Sequence, residues 1–226
     1  MAVGTIYLGT AERRSARWSS RSAVAFKRVL DVVVAAGVLL LLAPVLLVAA
    51  LAVRLSSPGP VLFRQSRIGR DGRPFEMLKF RTMYADCDSA AHKAYVAALI
   101  RGEADQRGGV FKLADDPRIT RVGRWLRKTS VDELPQLLNV LRGEMSLVGP
   151  RPPLAYEVEL YDERAWQRLS VPPGVTGLWQ VSGRNKLNFQ QMIDLDLEYV
   201  ARWSPALDLA IAIRTPFVLL LGHGAA

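Results

Sequence analysis

Residues 32–53 read VVVAAGVLLLLAPVLLVAALAV, 22 positions without a charge. As an α-helix rising about 1.5 Å per residue, the run is long enough to cross a hydrocarbon core. Pro44 stands near its middle, where the ring removes one backbone donor and crowds the preceding turn, so a kink is expected there. Both flanks are basic. Arg13, Arg14, Arg17, Arg21, Lys27 and Arg28 precede the run, and Arg54, Arg64, Arg67, Arg70 and Arg73 follow it. Cationic loops stay on the cytoplasmic side, so a simple crossing carries its excess on one flank only. A broken helix that dips in and returns puts both flanks on the cytoplasmic face. Re-entry is therefore the expectation, and a single-pass anchor with a tolerated proline is the alternative.

Around that run, 226 residues leave room for one compact domain. A net charge of +9 points to an anionic partner. Beside a membrane segment, lipid headgroups and phosphorylated substrates fit that charge better than DNA does. No recognition motif or stacking-aromatic module is present, so nucleic acid is not an expected partner. The single cysteine, Cys87, excludes an internal disulfide framework and has no base nearby to activate it. Only His92 and His223 occur, which disfavours a multi-histidine metal site or a Ser-His-Asp triad. The apolar run is longer than the ~7–15 residues of a signal-peptide core, so no cleavable leader is expected.

Three segments follow from this reading: residues 1–22 as a flexible basic arm, 23–54 as the membrane helix broken at Pro44, and 55–226 as a cytoplasmic domain. Val61 to Gln65 and Phe75 to Arg81 read as short strands, with Asp71-Gly72 supplying positive φ between them. Pro117 is expected to open a helix through Arg127, with Ile119, Val122 and Leu126 on one face. A second helix after Thr129-Ser130 carries Leu134, Leu137, Leu138 and Leu141 as a buried stripe. Gly149-Pro150-Arg151-Pro152-Pro153 and the run from Pro172 to Gly177 read as rigid turns. Asn188 with Gln191 forms a capping box for a helix to about Arg202. The tail from Trp203 to Leu221 alternates turns with apolar runs and lies at the membrane interface or in the core.

Asp132-Glu133 is the sharpest chemical signal. On a helix turning about 100° per residue, Asp132 points away from the leucine stripe, on the face of Gln136 and Asn139. A helix N-terminus favours anions, keeping a carboxylate ionised and able to attack or to hold Mg²⁺. Ser130-x-x-Glu133 also matches an ordinary capping box. Pro135 fits poorly as the fifth helical residue behind a Ser130 cap, and well as the third behind Asp132. Arg151 on its stiff turn suits a phosphate oxygen pair, and Arg184 in Ser182-Gly183-Arg184-Asn185 reads the same way. Lys79 and Arg81 make the hairpin basic, although each of these cations also reads as a solvated surface charge. There is no Walker loop and no dinucleotide-binding glycine fingerprint.

The order of these features resembles the bacterial sugar transferases that are monotopic polyprenyl-phosphate phosphoglycosyl transferases. The matching residues are Lys27-Arg28-x-x-Asp31 before the proline-broken helix, Lys79-Phe80-Arg81-Thr82-Met83, and Ser130-Val131-Asp132-Glu133-Leu134-Pro135-Gln136. They continue with Met145-Ser146-Leu147-Val148-Gly149-Pro150-Arg151-Pro152, Pro173-Gly174-Val175-Thr176-Gly177, Gln180-Val181-Ser182-Gly183-Arg184-Asn185 and Leu195-Asp196-Leu197-Glu198-Tyr199. The resemblance covers about residues 26–216.

It implies an enzyme at the cytoplasmic face of the bacterial inner membrane, held there monotopically by a re-entrant helix among membrane lipids. Such an enzyme moves a sugar-1-phosphate from a nucleotide diphosphate sugar donor, a UDP-sugar for instance, to a polyprenyl phosphate acceptor. That step initiates polysaccharide or glycoconjugate synthesis. By resemblance Asp132 is the nucleophile, Glu133 assists it, and Mg²⁺ binds at the two carboxylates. Lys79, Arg81, Gln136, Arg151, Arg184 and Asp196 fall on positions expected to contact substrate or shape the site.

The resemblance has departures. Ala43 stands where relatives often carry a serine before the helix-breaking proline, and Pro172 where a basic residue commonly precedes the Pro-Gly turn. The fold expected is mixed α/β and mainly helical: a re-entrant membrane helix on a compact catalytic domain with a small β-hairpin and amphipathic interfacial helices. A homodimer is compatible with it. Two rival functions stand beside it: a Mg²⁺-dependent diphosphate hydrolase, and a non-enzymatic single-pass scaffold.

Overall fold

The computed structural model describes residues 18, 20–84, 98, 117–183 and 187–221. Ser20 accepts a bond from the Ala23 amide and opens α1, Arg21–Leu41. The chain breaks at Leu42, and α2, Ala43–Ser56, departs at 65°. Pro44 cannot donate to the carbonyl four residues back, yet it is tolerated in a first turn. The expected kink is thus a break two residues ahead of the proline, with Pro44 in the opening turn of the second helix. Among the described residues no single helix is long and apolar enough to cross a membrane, but the bent pair meets that measure together.

Only a narrow stripe of the pair is buried: Lys27, Asp31 and Ala35 on α1, spaced by four, and Ala49 and Val53 on α2. Val33, Leu40, Leu41, Leu47, Val48, Leu51 and Leu55 are all more than half exposed. Both ends are tied down. At the start of α1, Lys27 donates to Asp208 (2.6 Å) and to the Val148 carbonyl (3.2 Å), and Arg28 donates to the Val140 and Leu141 carbonyls. At the end of α2, Arg81 donates to the carbonyls of Ser57 (2.6 Å) and Pro58 (2.7 Å) and, more weakly, of Val53. Lys27, Arg28 and Arg81 are therefore internal fasteners rather than free surface charge.

Strands β1, Leu62–Ile68, and β2, Pro74–Phe80, pair antiparallel from Leu62↔Phe80 to Ile68↔Pro74. Asp71 (φ 56°) and Gly72 (φ 77°) turn the chain between them, as expected of that dipeptide. Helix α3 runs Arg121–Thr129, four residues later than the proline suggested. Thr120 accepts from the Gly123 amide at 2.9 Å and sets the start, while Ile119 bridges to Met83 outside the helix.

The helix expected after Thr129-Ser130 forms, but it starts later than either cap, Ser130 or Asp132, would place it. Ser130 is left-handed (φ 56°) and its side chain makes no cap, Val131–Glu133 is a 3₁₀ turn, and α4 begins only at Gln136 with Pro135 as its cap residue. Pro135 lacks a donor, and the cap position requires none of it. Gln136 and Asn139, expected on an open face, are buried. Asn139 accepts from the Leu78 amide (3.0 Å) and donates to the Glu76 carbonyl (2.7 Å), closing the outer edge of β2.

Strand β3, Ser146–Val148, pairs in parallel with β4, Gly174–Thr176, the latter inside a segment that reads as a turn. A Cβ on Gly174 would lie 2.1 Å from the Gly149 amide nitrogen, so the two chains can cross here only as glycines. Short helices α5, Ala155–Val158, and α6, Glu163–Trp166, lead to this strand, and α7, Leu178–Ser182, follows it. Helix α8, Phe189–Arg202, opens with the expected Asn188–Gln191 capping box. The tail is a single helix, α9, Pro205–Leu221, rather than alternating turns. The result is a mostly helical fold with a bent N-terminal helix pair and two small strand pairs.

Candidate active site

One open, shallow cleft gathers residues from several places in the chain. Strand β1 contributes Arg67, β2 contributes Met77 and Lys79, the turn before α4 contributes Glu133, α4 contributes its first residue Gln136, β4 contributes Gly174 and Val175, and the Arg151-Pro152 turn and Gln180 close it. The hairpin register explains the first group. Arg67, Gln65 and Phe63 stand opposite Phe75, Met77 and Lys79, so all six share one face.

Lys79 Nζ lies 3.1 Å from Glu133 Oε1, and the Glu133 carboxylate is 36 % exposed. Asp132, one residue back on the same turn, is 8 % exposed. The strained left-handed Ser130 immediately precedes them, a conformation that non-glycine residues hold only where neighbours enforce it. Asp132 does not stand at an α-helix N-terminus, because α4 starts four residues on. The carboxylates therefore gain little from a helix dipole, and the charge of Glu133 is met by the Lys79 ammonium instead.

Arg67 donates to the Pro152 carbonyl (2.9 Å) and to Gln65 Oε1. Burial, and next the like charge of Arg151, lower its pKa to about 10, still far above neutrality. Two guanidiniums and an ammonium thus line a cleft whose lining holds one carboxylate, Glu133. Such a space favours a ligand carrying several phosphate charges.

The candidate residues separate as follows. Lys79, Gln136, Arg151 and Glu133 meet in the cleft, with Asp132 adjoining. Arg81 does not line it, since its guanidinium is committed to the exit of α2. Asp196 is fully buried against Arg168 and also lies off the cleft lining. Arg184, Cys87 and His92 lie outside the described residues. Arg67 and Gln180 line the cleft although the reading of candidate site residues missed both. Arg67 was counted among flanking charges, and the strand register with Lys79 was the signal that would have moved it inward.

Comparison with known proteins gives matches that cover most of this chain and differing shares of the relatives. The "Galactosyl transferase CpsE" of Streptococcus agalactiae is 48% identical over 168 residues, which is 74% of this chain and 36% of that protein. The "UDP-glucose:undecaprenyl-phosphate glucose-1-phosphate transferase" of Caulobacter vibrioides is 48% identical over 84% of this chain and 67% of its own length. The "Exopolysaccharide production protein ExoY" of Rhizobium meliloti is 44% identical over 88% of this chain and 87% of its own. The chain thus spans little more than a third of the streptococcal relative and most of the rhizobial one. Residues 22–222 match the family described as bacterial sugar transferase, and to that family this chain belongs.

Proposed function

We propose that the protein is a phosphoglycosyl transferase that moves a sugar-1-phosphate from a nucleotide diphosphate sugar to polyprenyl phosphate. The observation that carries this reading is the cleft itself, in which Lys79, Arg67 and Arg151 surround space beside the Asp132-Glu133 turn. Asp132 is the proposed nucleophile. Its carboxylate oxygen bonds to the sugar-linked phosphorus, the bridging P–O bond breaks, and nucleoside monophosphate leaves with the electron pair. An oxygen of polyprenyl phosphate then attacks the same phosphorus and displaces the Asp132 carboxylate. Such transfers need in-line positioning and charge neutralisation more than proton shuttling, which suits a site without histidine.

Mg²⁺ fits the two adjacent carboxylates, because it takes one or two protein oxygens and completes its octahedron with phosphate and water. Among the described residues no group of three or more His, Cys, Asp or Glu stands ready to cage a metal alone. Bound at Asp132 and Glu133, the ion would offset charge on the phosphate oxygens. Arg151 orients the diphosphate, Arg67 holds the Pro152 carbonyl beside it, and Lys79 holds Glu133 in place.

The bent helix pair is proposed to enter and leave the cytoplasmic face of the bacterial inner membrane. Its exposed apolar surface supports that seat, since soluble proteins seldom leave so much uncovered. Support for re-entry comes from the anchors: both ends of the pair bind one body.

The test is a panel of nucleotide sugars, including UDP-glucose and UDP-galactose, with polyprenyl phosphate and Mg²⁺, reading nucleoside monophosphate release. Asp132→Asn is expected to lose at least about 10³-fold in turnover while keeping its fold. Mass spectrometry of donor-treated protein is expected to find the phosphosugar on Asp132. Wild-type turnover by that variant would falsify the nucleophile, and free sugar phosphate released without acceptor would point to hydrolysis.

A further inference from the structure

In the segment Gly149-Pro150-Arg151-Pro152-Pro153-Leu154 the end amides donate to the Thr176 carbonyl and to Glu157, and the four residues between are held by their carbonyls. Its three prolines have no amide to donate. The Pro150 carbonyl accepts from the Gly174 amide at 2.8 Å, and the Pro153 carbonyl from the Ile68 amide at 2.9 Å. Between them, the Arg151 carbonyl accepts from Arg168 Nη2 at 3.1 Å and the Pro152 carbonyl from Arg67 Nη1 at 2.9 Å. Two buried guanidiniums therefore grip consecutive carbonyls, each only 4% exposed.

Burying a guanidinium costs several kcal/mol unless partners offset it, and a neutral amide would satisfy a carbonyl more cheaply. Arg168 has those partners. It is paired with the fully buried Asp196 and donates to the Tyr161 hydroxyl at 2.7 Å. A planar fork can reach Asp196, Tyr161 and the Arg151 carbonyl together, whereas an ammonium on a flexible stem cannot match that geometry. The residue held in this way is the one whose side chain enters the cleft with Lys79 and Glu133.

We infer that Arg168 is a positioning residue for Arg151. Braced by Asp196 and Tyr161, it fixes the Arg151 backbone and so sets where the Arg151 guanidinium meets the substrate's phosphates, with Arg67 steadying the next carbonyl. The inference rests on the transferase reading only for the identity of the anion. The positioning itself requires only that the cleft bind phosphate through Arg151.

The experiment is a double-mutant cycle on the full chain in detergent, with inorganic pyrophosphate as the probe in titration calorimetry at fixed ionic strength. Arg168→Lys is expected to weaken pyrophosphate about tenfold, and Tyr161→Phe about threefold, in the wild-type background. In an Arg151→Ala background both effects are expected to vanish. Equal losses in the two backgrounds overturn the inference, as does unchanged binding in folded Arg168→Lys. A wild-type protein that takes up no pyrophosphate overturns it too. If Arg168→Lys lacks a native near-UV spectrum, the milder Tyr161→Phe cycle decides alone. Should the cycle behave as expected while no nucleotide sugar ever releases its monophosphate, the positioning stands and the transferase reading falls.

Discussion

Burial pushes the Asp196 carboxyl up to about 6, against the pull of Arg168 beside it. The unfolded chain titrates the same group near 3.8. Between those values the native state holds more protons than the unfolded one, so stability is greatest at the acid end and is lost as pH rises through about 6. Thermal midpoints in detergent are expected to fall across that window, and Asp196→Asn, which cannot titrate, is expected to flatten the decline. An unchanged slope in the variant would assign the titration to another group. The same residue shows why type and spacing misplace some site candidates. Asp196 lies on α8 within Leu195-Asp196-Leu197 and is an internal counter-charge, not a surface one. Lys79 and Arg81 share parity, so alternation assigns them to one face. Yet β2 ends at Phe80, and the chain beyond it bends Arg81 toward the carbonyls at the end of α2.

At the scale of elements, the cleft depends on how β2 is backed. Leu78 offers its amide and Glu76 its carbonyl to the side away from β1, and Asn139 on α4 meets both. Asn139 is fully buried, so replacing it with leucine leaves those two backbone groups without a partner. Each such loss costs about 1–3 kcal/mol, giving an expected destabilisation of about 2–6 kcal/mol for Asn139→Leu. Transfer should suffer too, because β2 carries Lys79. Chemical denaturation measures the first effect, and a drop under 0.5 kcal/mol, roughly the noise for surface changes, would deny the brace. Elements with strong local codes were legible beforehand: the Asp71-Gly72 turn, the Asn188 box, the break before Pro44. Those decided by tertiary contacts were not. The three-residue β3 and β4 are too short to carry a periodic signal, and their pairing depends on glycines that let two backbones touch. The start of α4 was hidden for a related reason. Ser130 carries the letters of a cap, but it terminates α3 in a left-handed conformation instead.

For the molecule as a whole, topology follows from what the two ends of the apolar pair grip. At about 1.5 Å per residue, α1 and α2 are roughly 31 and 21 Å long. Flanking charge is weak support for re-entry, since Lys27, Arg28 and Arg67 are used internally. A better reason replaces it. The start of α1 is fastened to α9, β3 and α4, and the end of α2 to Arg81 and to the Phe80–Leu126 cluster. Asn139 and the Met77–Leu137–Val140 cluster join those two regions into one body. A crossing would need that body on both faces, or the loss of one set of fasteners. Charge-assisted bonds are worth about 1.5–3 kcal/mol each, so releasing the three from Arg81 and uncovering Val53 is a large penalty. Cysteines introduced as Ser15→Cys and Arg70→Cys in a Cys87→Ser background are therefore expected to react with an impermeant maleimide from the cytoplasmic side alone, in inverted vesicles and not in intact spheroplasts. Labelling of the two positions from opposite sides would mean that the fasteners at one end give way in the membrane, and that the cleft would have to meet the proposed lipid acceptor by some other geometry.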